Sequence, residues 1–150
     1  MGEPVITIRA MEAGDAAQIS RLCDALGYPT TSDAVARRFS VLSCSTGDVV
    51  FVAIDGGVVV GWAHACLSVL LETDPFVEIG GIVVAEAARR RGVGQLLMSA
   101  AEQWAVSLGC VEVRLRSNVV REGAHRFYEQ LGYQRLKTQY TFAKRIEAFC

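Results

Sequence analysis

Residues Arg89 to Gln95 read Arg-Arg-Arg-Gly-Val-Gly-Gln, between an apolar run ending Ile82-Val83-Val84 and an amphipathic stretch. A strand that hands over to a helix through an arginine-and-glycine turn makes a cradle for an oxyanion, and for a pyrophosphate in particular. The first amides of a helix have no intrahelical acceptor and lie at the positive end of its dipole. Gly92 and Gly94 put no side chain in the path of a phosphate, and Arg89, Arg90 and Arg91 add charge at the rim. The spacing Arg-x-x-Gly-x-Gly is neither the dinucleotide G-x-G-x-x-G nor a P-loop, because no Gly-Lys-Ser/Thr comes after it. Nucleoside triphosphates and NAD are therefore disfavoured. The competing reading is a solvated loop that happens to contain glycine.

The residues downstream of the turn weigh against a simple loop. Apolar residues at 93, 96, 97, 100, 101, 104 and 108 recur at helical spacing, and Gly109 is a suitable stop. Val111 to Arg116 alternates with period two, as a half-buried strand does. A second helix is predicted from about Arg121 to Leu131, with Ala124, Phe127, Tyr128 and Leu131 on one side and Gly132 at its end. Strand, glycine turn, helix, strand, helix is a crossover unit with its anion site at the first turn.

The run EIGGIVVAEAARRRGVGQLLM, then RLRSNVVREGAHRFYEQLGY, resembles the acetyl-coenzyme A core of the GNAT superfamily of N-acetyltransferases. The resemblance implies that Arg89, Gly92 and Gly94 fill the turn that holds the cofactor pyrophosphate, with Arg90, Arg91, Val93 and Gln95 in the same cradle. It implies that the strand Ile82, Val83, Val84 pairs with pantetheine. It places Asn118 at the amide position beside the thioester and Tyr128, within Phe-Tyr-Glu-x-x-Gly-Tyr, at the position of the acid. In such folds strands 4 and 5 splay apart and the pantetheine arm enters the gap like an extra strand.

Composition agrees with one domain over residues 1–150. A chain of this size buries roughly 70% of its unfolded surface, enough for a core without disulfide or metal. Hydrophobic residues make up 51% of the chain, which argues against disorder. Fifteen basic and 16 acidic residues leave a net charge of -1, so no broad nucleic-acid footprint is expected. Cysteines at 23, 44, 66, 110 and 150 form no C-x-x-C and are odd in number, which suits a reducing cytoplasm. Cys23, Cys66 and Cys110 read as small buried hydrophobes; Cys150 is terminal and could oxidise between chains. Two histidines are too few for a metal site without carboxylate help. The amino terminus lacks a signal-peptide pattern, and no apolar run reaches the ~18 residues of a membrane span. High apolar content leaves room for a homodimer.

Upstream, Val5 to Ala10 reads as a strand, and Asp15 to Leu26 as a helix closed by Gly27. Thr31 or Ser32 caps a second helix running to about Leu42. Val49 to Ile54 and Val58 to Leu67 flank an Asp55-Gly56-Gly57 hairpin turn, and Phe76 to Val84 is the next strand. Tyr133 to Lys137 and Tyr140 to Lys144 read as terminal strands. The expected fold is α/β: a GNAT-like mixed sheet of about seven strands with four helices, strands 4 and 5 splayed.

Acyl transfer to an amine needs a neutral nucleophile, a stabilised oxyanion and a proton for the departing thiolate. A backbone amide near Val83 or Val84 supplies the second. Tyr128, at the acid position the resemblance implies, supplies the third, since a phenol is protonated at neutral pH; the bland reading is a core aromatic. Glu78, on an otherwise apolar strand, is the chosen proton acceptor, because a carboxylate drawn partly from water suits a base. Its alternatives are a solvated edge residue or action through a water. Asn118 either holds pantetheine or a water, or caps the next helix. His64 is either a hydrogen-bonded core residue or a rival base to Glu78. Glu72 and Asp74 read as a solvated acidic loop that could greet a cationic acceptor. Function is expected to be acetyl-coenzyme A dependent N-acetylation of a small cationic amine by direct attack in a ternary complex, since no activated nucleophile supports an acyl-enzyme. Protein or aminoacyl-tRNA acetylation and a non-catalytic acyl-coenzyme A sensor are the alternatives.

Overall fold

The computed structural model describes residues 5–117 and 119–147. Its first strand, β1 (Thr7–Ala10), leads through one turn of 3-10 helix at Ala13–Asp15 into α1 (Ala16–Ala25). Asp15 fixes this corner. It is 5% exposed and accepts Arg9 through both carboxylate oxygens at 2.8 and 2.9 Å, and the Glu12 amide at 2.8 Å. The Arg9 hydrogen bonds hold its carboxyl below the usual range; burial pulls the other way, and the Glu12 amide and the Arg9 charge reinforce the lowering. The folded-state value therefore lies below the unfolded one, so the stabilisation is complete above about pH 4 and is lost as pH falls through the folded value. Asp15→Asn is expected to cost about 2 kcal/mol at pH 7 in urea unfolding, with the gap to the parent closing in strong acid.

Helix α2 (Ser32–Leu42) starts where Thr31 Oγ1 accepts the Ala34 amide at 3.1 Å. Strands β2 (Asp48–Asp55) and β3 (Val58–Ser68) form a hairpin whose Gly56 and Gly57 have φ of +56° and +82°, conformations that a two-residue turn requires and glycine supplies. β4 (Phe76–Val84) completes an antiparallel run, and α3 (Val93–Ser107) crosses over to β5 (Val113–Leu115), which lies parallel to β4. The sheet order is β1-β2-β3-β4-β5.

The alternation along β2 and β3 sorts side chains to two faces. Val50, Val52 and Val59 pack with Met11, with Ile19 and Cys23 of α1, and with Val35, Phe39 and Leu42 of α2. On the other face Ala53 and Ala63 meet Val93 and Leu97 of α3, together with Ile82 and Val84. Helix α3 lies close because Gly61 leaves room: a Cβ there would stand 3.2 Å from both Val93 and Leu97 and 3.0 Å from the Val83 carbonyl. That close approach seats the amino end of α3 beside the end of β4.

The described residues form two compact units divided after Arg116. The second holds α4 (Glu122–Gln130), capped when the Leu131 and Gly132 amides return to Phe127, Tyr128 and Glu129 carbonyls. Arg135 Nε pairs with Glu129 Oε1 at 2.7 Å. The terminal strands expected at Tyr133–Lys137 and Tyr140–Lys144 do not form; the sheet has five strands among the described residues, not about seven. Period-two patterning shows that residues suit a strand, but a strand exists only through its ladder, and this stretch makes none. Tyr140, Phe142 and Ile146 are accordingly exposed.

Candidate active site

At the end of β4 the chain makes one 3-10 turn, Glu86–Ala88, in which Ala88 is buried beneath the start of α3. Arg89 is extended, Arg90 takes φ +66° and Gly92 φ +76° before the helix begins at Val93. A left-handed arginine costs on the order of 1–2 kcal/mol, which a plain solvated loop would have no reason to keep. The Leu96 amide bonds the Gly92 carbonyl at 3.0 Å, closing the first helical turn, so the amides of Val93, Gly94 and Gln95 precede the intrahelical ladder. No acidic residue lies in that first turn. Val93 is 1% exposed and anchors the turn to the core. Arg89 and Arg90 are exposed, while Arg91 Nη1 meets Asp55 Oδ2 at 2.8 Å and ties the turn to the β2–β3 hairpin. Arg91 thus braces the turn against β2.

Strand β4 supplies the second half of the site. Its ladder with β5 covers Val77, Glu78 and Ile79, and stops there. Gly81 to Val84 pair with β3 alone among the described residues, with Gly80 the bulged residue before them, leaving backbone groups on the other side for another extended chain. Ile82 and Val84 point to the α3 core, and Val83 lies opposite Trp62. The amides at 92–95 and the free edge at 80–84 therefore suit a diphosphate joined to an extended arm.

Glu78 projects from β4 opposite Cys66 of β3. Its side chain is 22% exposed, and Oε1 accepts Arg116 Nε at 2.8 Å, from an arginine that is itself 74% exposed. One carboxylate oxygen is thus held in place beside the β4–β5 junction. On the same face His64 Nε2 lies 2.8 Å from Asp48 Oδ1, so His64 is hydrogen-bonded, and Asp48 is a partner that the sequence reading missed. Counting back from the two hairpin glycines would set Val50 opposite Ala63; a bulge between Ala53 and Ile54 shifts the register by one, sets Val50 opposite His64 and brings Asp48 to the same face, so the sequence alone carries no signal for the pair.

Cys66 Sγ faces the Glu78 carbonyl at 3.5 Å. Burial pushes its thiol above the ordinary range, Asp48 and Glu78 push it further, and Arg116 opposes them, so it stays protonated and poorly nucleophilic. Burial likewise raises the Cys23 thiol, against smaller opposing effects of Trp62 and Arg38. Glu72 and Asp74 lie in an exposed loop. A cavity of about 180 Å³ between α2 and β2, lined by Phe39, Leu42, Ser43 and Val50, opens beside Asp48.

In the second unit Tyr128 sits on α4, edge-to-face with Phe127 at 5.3 Å and with Tyr133 at 6.3 Å. Asn118 lies outside the described residues.

The model of the Acetyltransferase (GNAT) family matches residues 18–133, a stretch that spans the cradle, β4 and α4. The chain belongs to the GNAT family of acetyltransferases. It is 33% identical over 76 residues to an aminoglycoside N(6')-acetyltransferase type 1 of Acinetobacter haemolyticus, covering 51% of this chain and 52% of that one. It is 26% identical over 99 residues to an enzyme of the same description from Salmonella typhimurium strain LT2, covering 63% and 68% respectively. The chain thus matches about half the length of the first of these relatives. Its fold is that of the aminoglycoside N-acetyltransferase AAC(6')-Iy solved in complex with CoA, with a TM-score of 0.85 at 23% identity over 97% of this chain and 98% of that one. No helix among the described residues is long and apolar enough to cross a membrane.

Proposed function

We propose that the chain acts as one N-acetyltransferase domain that moves the acetyl group of acetyl-coenzyme A to a primary amine of a small cationic molecule, by direct attack in a ternary complex. The observation that carries this reading is the junction of β4 and α3: amides at 92–95 ahead of the helical ladder, after a strand whose residues 80–84 have no β5 partner. The cofactor, when bound, supplies an activated acetyl thioester. The chain's own residues do the rest. Arg89, Arg90, Gly92, Val93, Gly94 and Gln95 bind the pyrophosphate with Arg91 bracing them, the edge at Ile82–Val84 orients the arm, and Asn118 steadies it. Glu78 takes a proton from the incoming ammonium, and Tyr128 returns one to the departing sulfur. The high thiols of Cys23 and Cys66 support direct attack over a cysteinyl acyl-enzyme. The aminoglycoside acetyltransferases among the relatives support an amino sugar as the acceptor. A cytoplasmic location fits the thiols, and a homodimer remains part of the proposal.

The test is free-thiol release from acetyl-coenzyme A over a panel of aminoglycosides, polyamines, amino acids and peptides, with an aminoglycoside expected to be turned over fastest. Glu78→Gln is expected to lower kcat by about 10²-fold and to flatten the acidic limb of the kcat/KM profile. An acidic limb that survives unchanged would move the proton acceptor elsewhere.

A further inference from the structure

Acetylating an amine that arrives as an ammonium removes two protons from one nitrogen, and Glu78 receives only one of them. The same sheet face carries a second group built to accept a proton. His64 Nε2 is 2.8 Å from Asp48 Oδ1. Burial raises the Asp48 carboxyl, but hydrogen bonds from His64 and Ser45 and the charge of His64 outweigh it, so the group is held below its ordinary range and is ionised at neutral pH. An ionised carboxylate only accepts hydrogen bonds. Nε2 therefore carries a hydrogen, and the tautomer that keeps this bond has its lone pair at Nδ1.

The chain leaves that nitrogen room. A Cβ on Gly80 would stand 2.9 Å from His64 Nδ1, so only glycine lets the ring edge lie against β4 here. Gly80 is exposed, and the β3–β4 register shifts between His64 and Ala65. Bulges of this kind re-aim side chains beside active sites. The result turns Nδ1 toward the first residue of the stretch 80–84 that has no β5 partner. Glu78, opposite Cys66, is the diagonal neighbour of His64 on the same face, roughly 7–8 Å away by sheet geometry. Other charged or titratable groups there are Cys66, Arg116, which is held by Glu78, and Arg38 of α2, which acts on Cys23.

We infer that His64 Nδ1 is a second proton acceptor for the acetyl transfer, with Asp48 as the positioning residue that fixes its tautomer; the inference rests on the function proposed above. Glu78 takes the first proton, which frees the nitrogen lone pair. As the C–N bond forms and the C–S bond breaks, Nδ1 takes the second nitrogen proton, and the imidazolium so formed faces the Asp48 carboxylate. Tyr128 gives its proton to the sulfur. Glu78 and His64 then release their protons to water and Tyr128 regains one, so ammonium and thioester become amide, thiol and one net proton.

The test uses the full chain. Without cofactor, ¹⁵N spectra of the histidine side chains should show His64 as the Nε2–H tautomer, and Asp48→Asn should disturb that signature. With acetyl-coenzyme A and neamine, the acidic limb of the parent should be second order in protons. His64→Gln should make it first order and lower kcat by about 10²-fold, with the KM for acetyl-coenzyme A unchanged. Gly80→Ala should lower kcat in the same direction by crowding Nδ1, and it stands in if His64→Gln does not fold. A hydrogen found on Nδ1 in the parent, or a His64→Gln chain with parental kcat and limb, overturns the inference while leaving the acetyltransferase reading intact. A parent that releases no thiol with any amine overturns both, even where the Nε2–H tautomer is seen.

Discussion

Gly92→Glu is expected to abolish coenzyme A binding while leaving a folded protein. Position 92 has φ +76°, so any side chain there costs on the order of 1–2 kcal/mol in backbone strain. An added Cβ meets nothing within 4 Å, so no clash with the core accompanies that strain. The carboxylate would instead enter the open space ahead of the α3 amides, where the pyrophosphate is proposed to sit. It would compete for those amides and for Arg89 and Arg90, and repel the diphosphate as well. The combined loss should exceed about 10²-fold in affinity, on the order of 3 kcal/mol, by calorimetry. Gly94→Glu, in the first turn of the same helix, should behave alike. Affinity equal to the parent's would contradict the cradle.

Tyr128→Phe should lower kcat by ~10² to 10⁴-fold with coenzyme A affinity unchanged, the usual span for loss of a general acid. The variant isolates the hydroxyl. Tyr128 meets Phe127 and Tyr133 edge-to-face, contacts that belong to the ring and persist in phenylalanine. Single-turnover thiol release is the readout that separates the acid from a packing aromatic. An undiminished rate would return Tyr128 to the core.

How much of the fold and site was legible in the sequence depends on the range of each signal. Local signals were read well: β4 has the bounds Phe76–Val84 expected of it, Thr31 caps α2, and the Asp55-Gly56-Gly57 turn sets the hairpin. These depend on residues that neighbour one another in the chain. The strand-turn-helix junction at the end of β4 is legible for the same reason, since strand, arginines, glycines and helix are consecutive. Missed features depend on register or on long-range partners. Asp48 meets His64 across 16 residues, Arg91 meets Asp55 across 36, and Arg116 reaches Glu78 from just beyond β5. In the sequence the Gly80-Gly81 pair shows only as part of an apolar strand. Its reason is two aromatic rings: a Cβ at 81 would stand 2.9 Å from Trp62, as one at 80 would from His64. The over-prediction at Tyr133–Lys144 has the opposite cause, because alternation reports suitability for a sheet and is silent about a partner.

The most direct measurement is a crystal structure of the chain with coenzyme A. The expected density places the pyrophosphate oxygens within hydrogen-bond distance of the amides at 92–95, with the pantetheine arm paired to the β4 edge between Gly80 and Val84. Density for the nucleotide at any other surface, with those amides turned to solvent, would contradict the site on which the proposed chemistry stands.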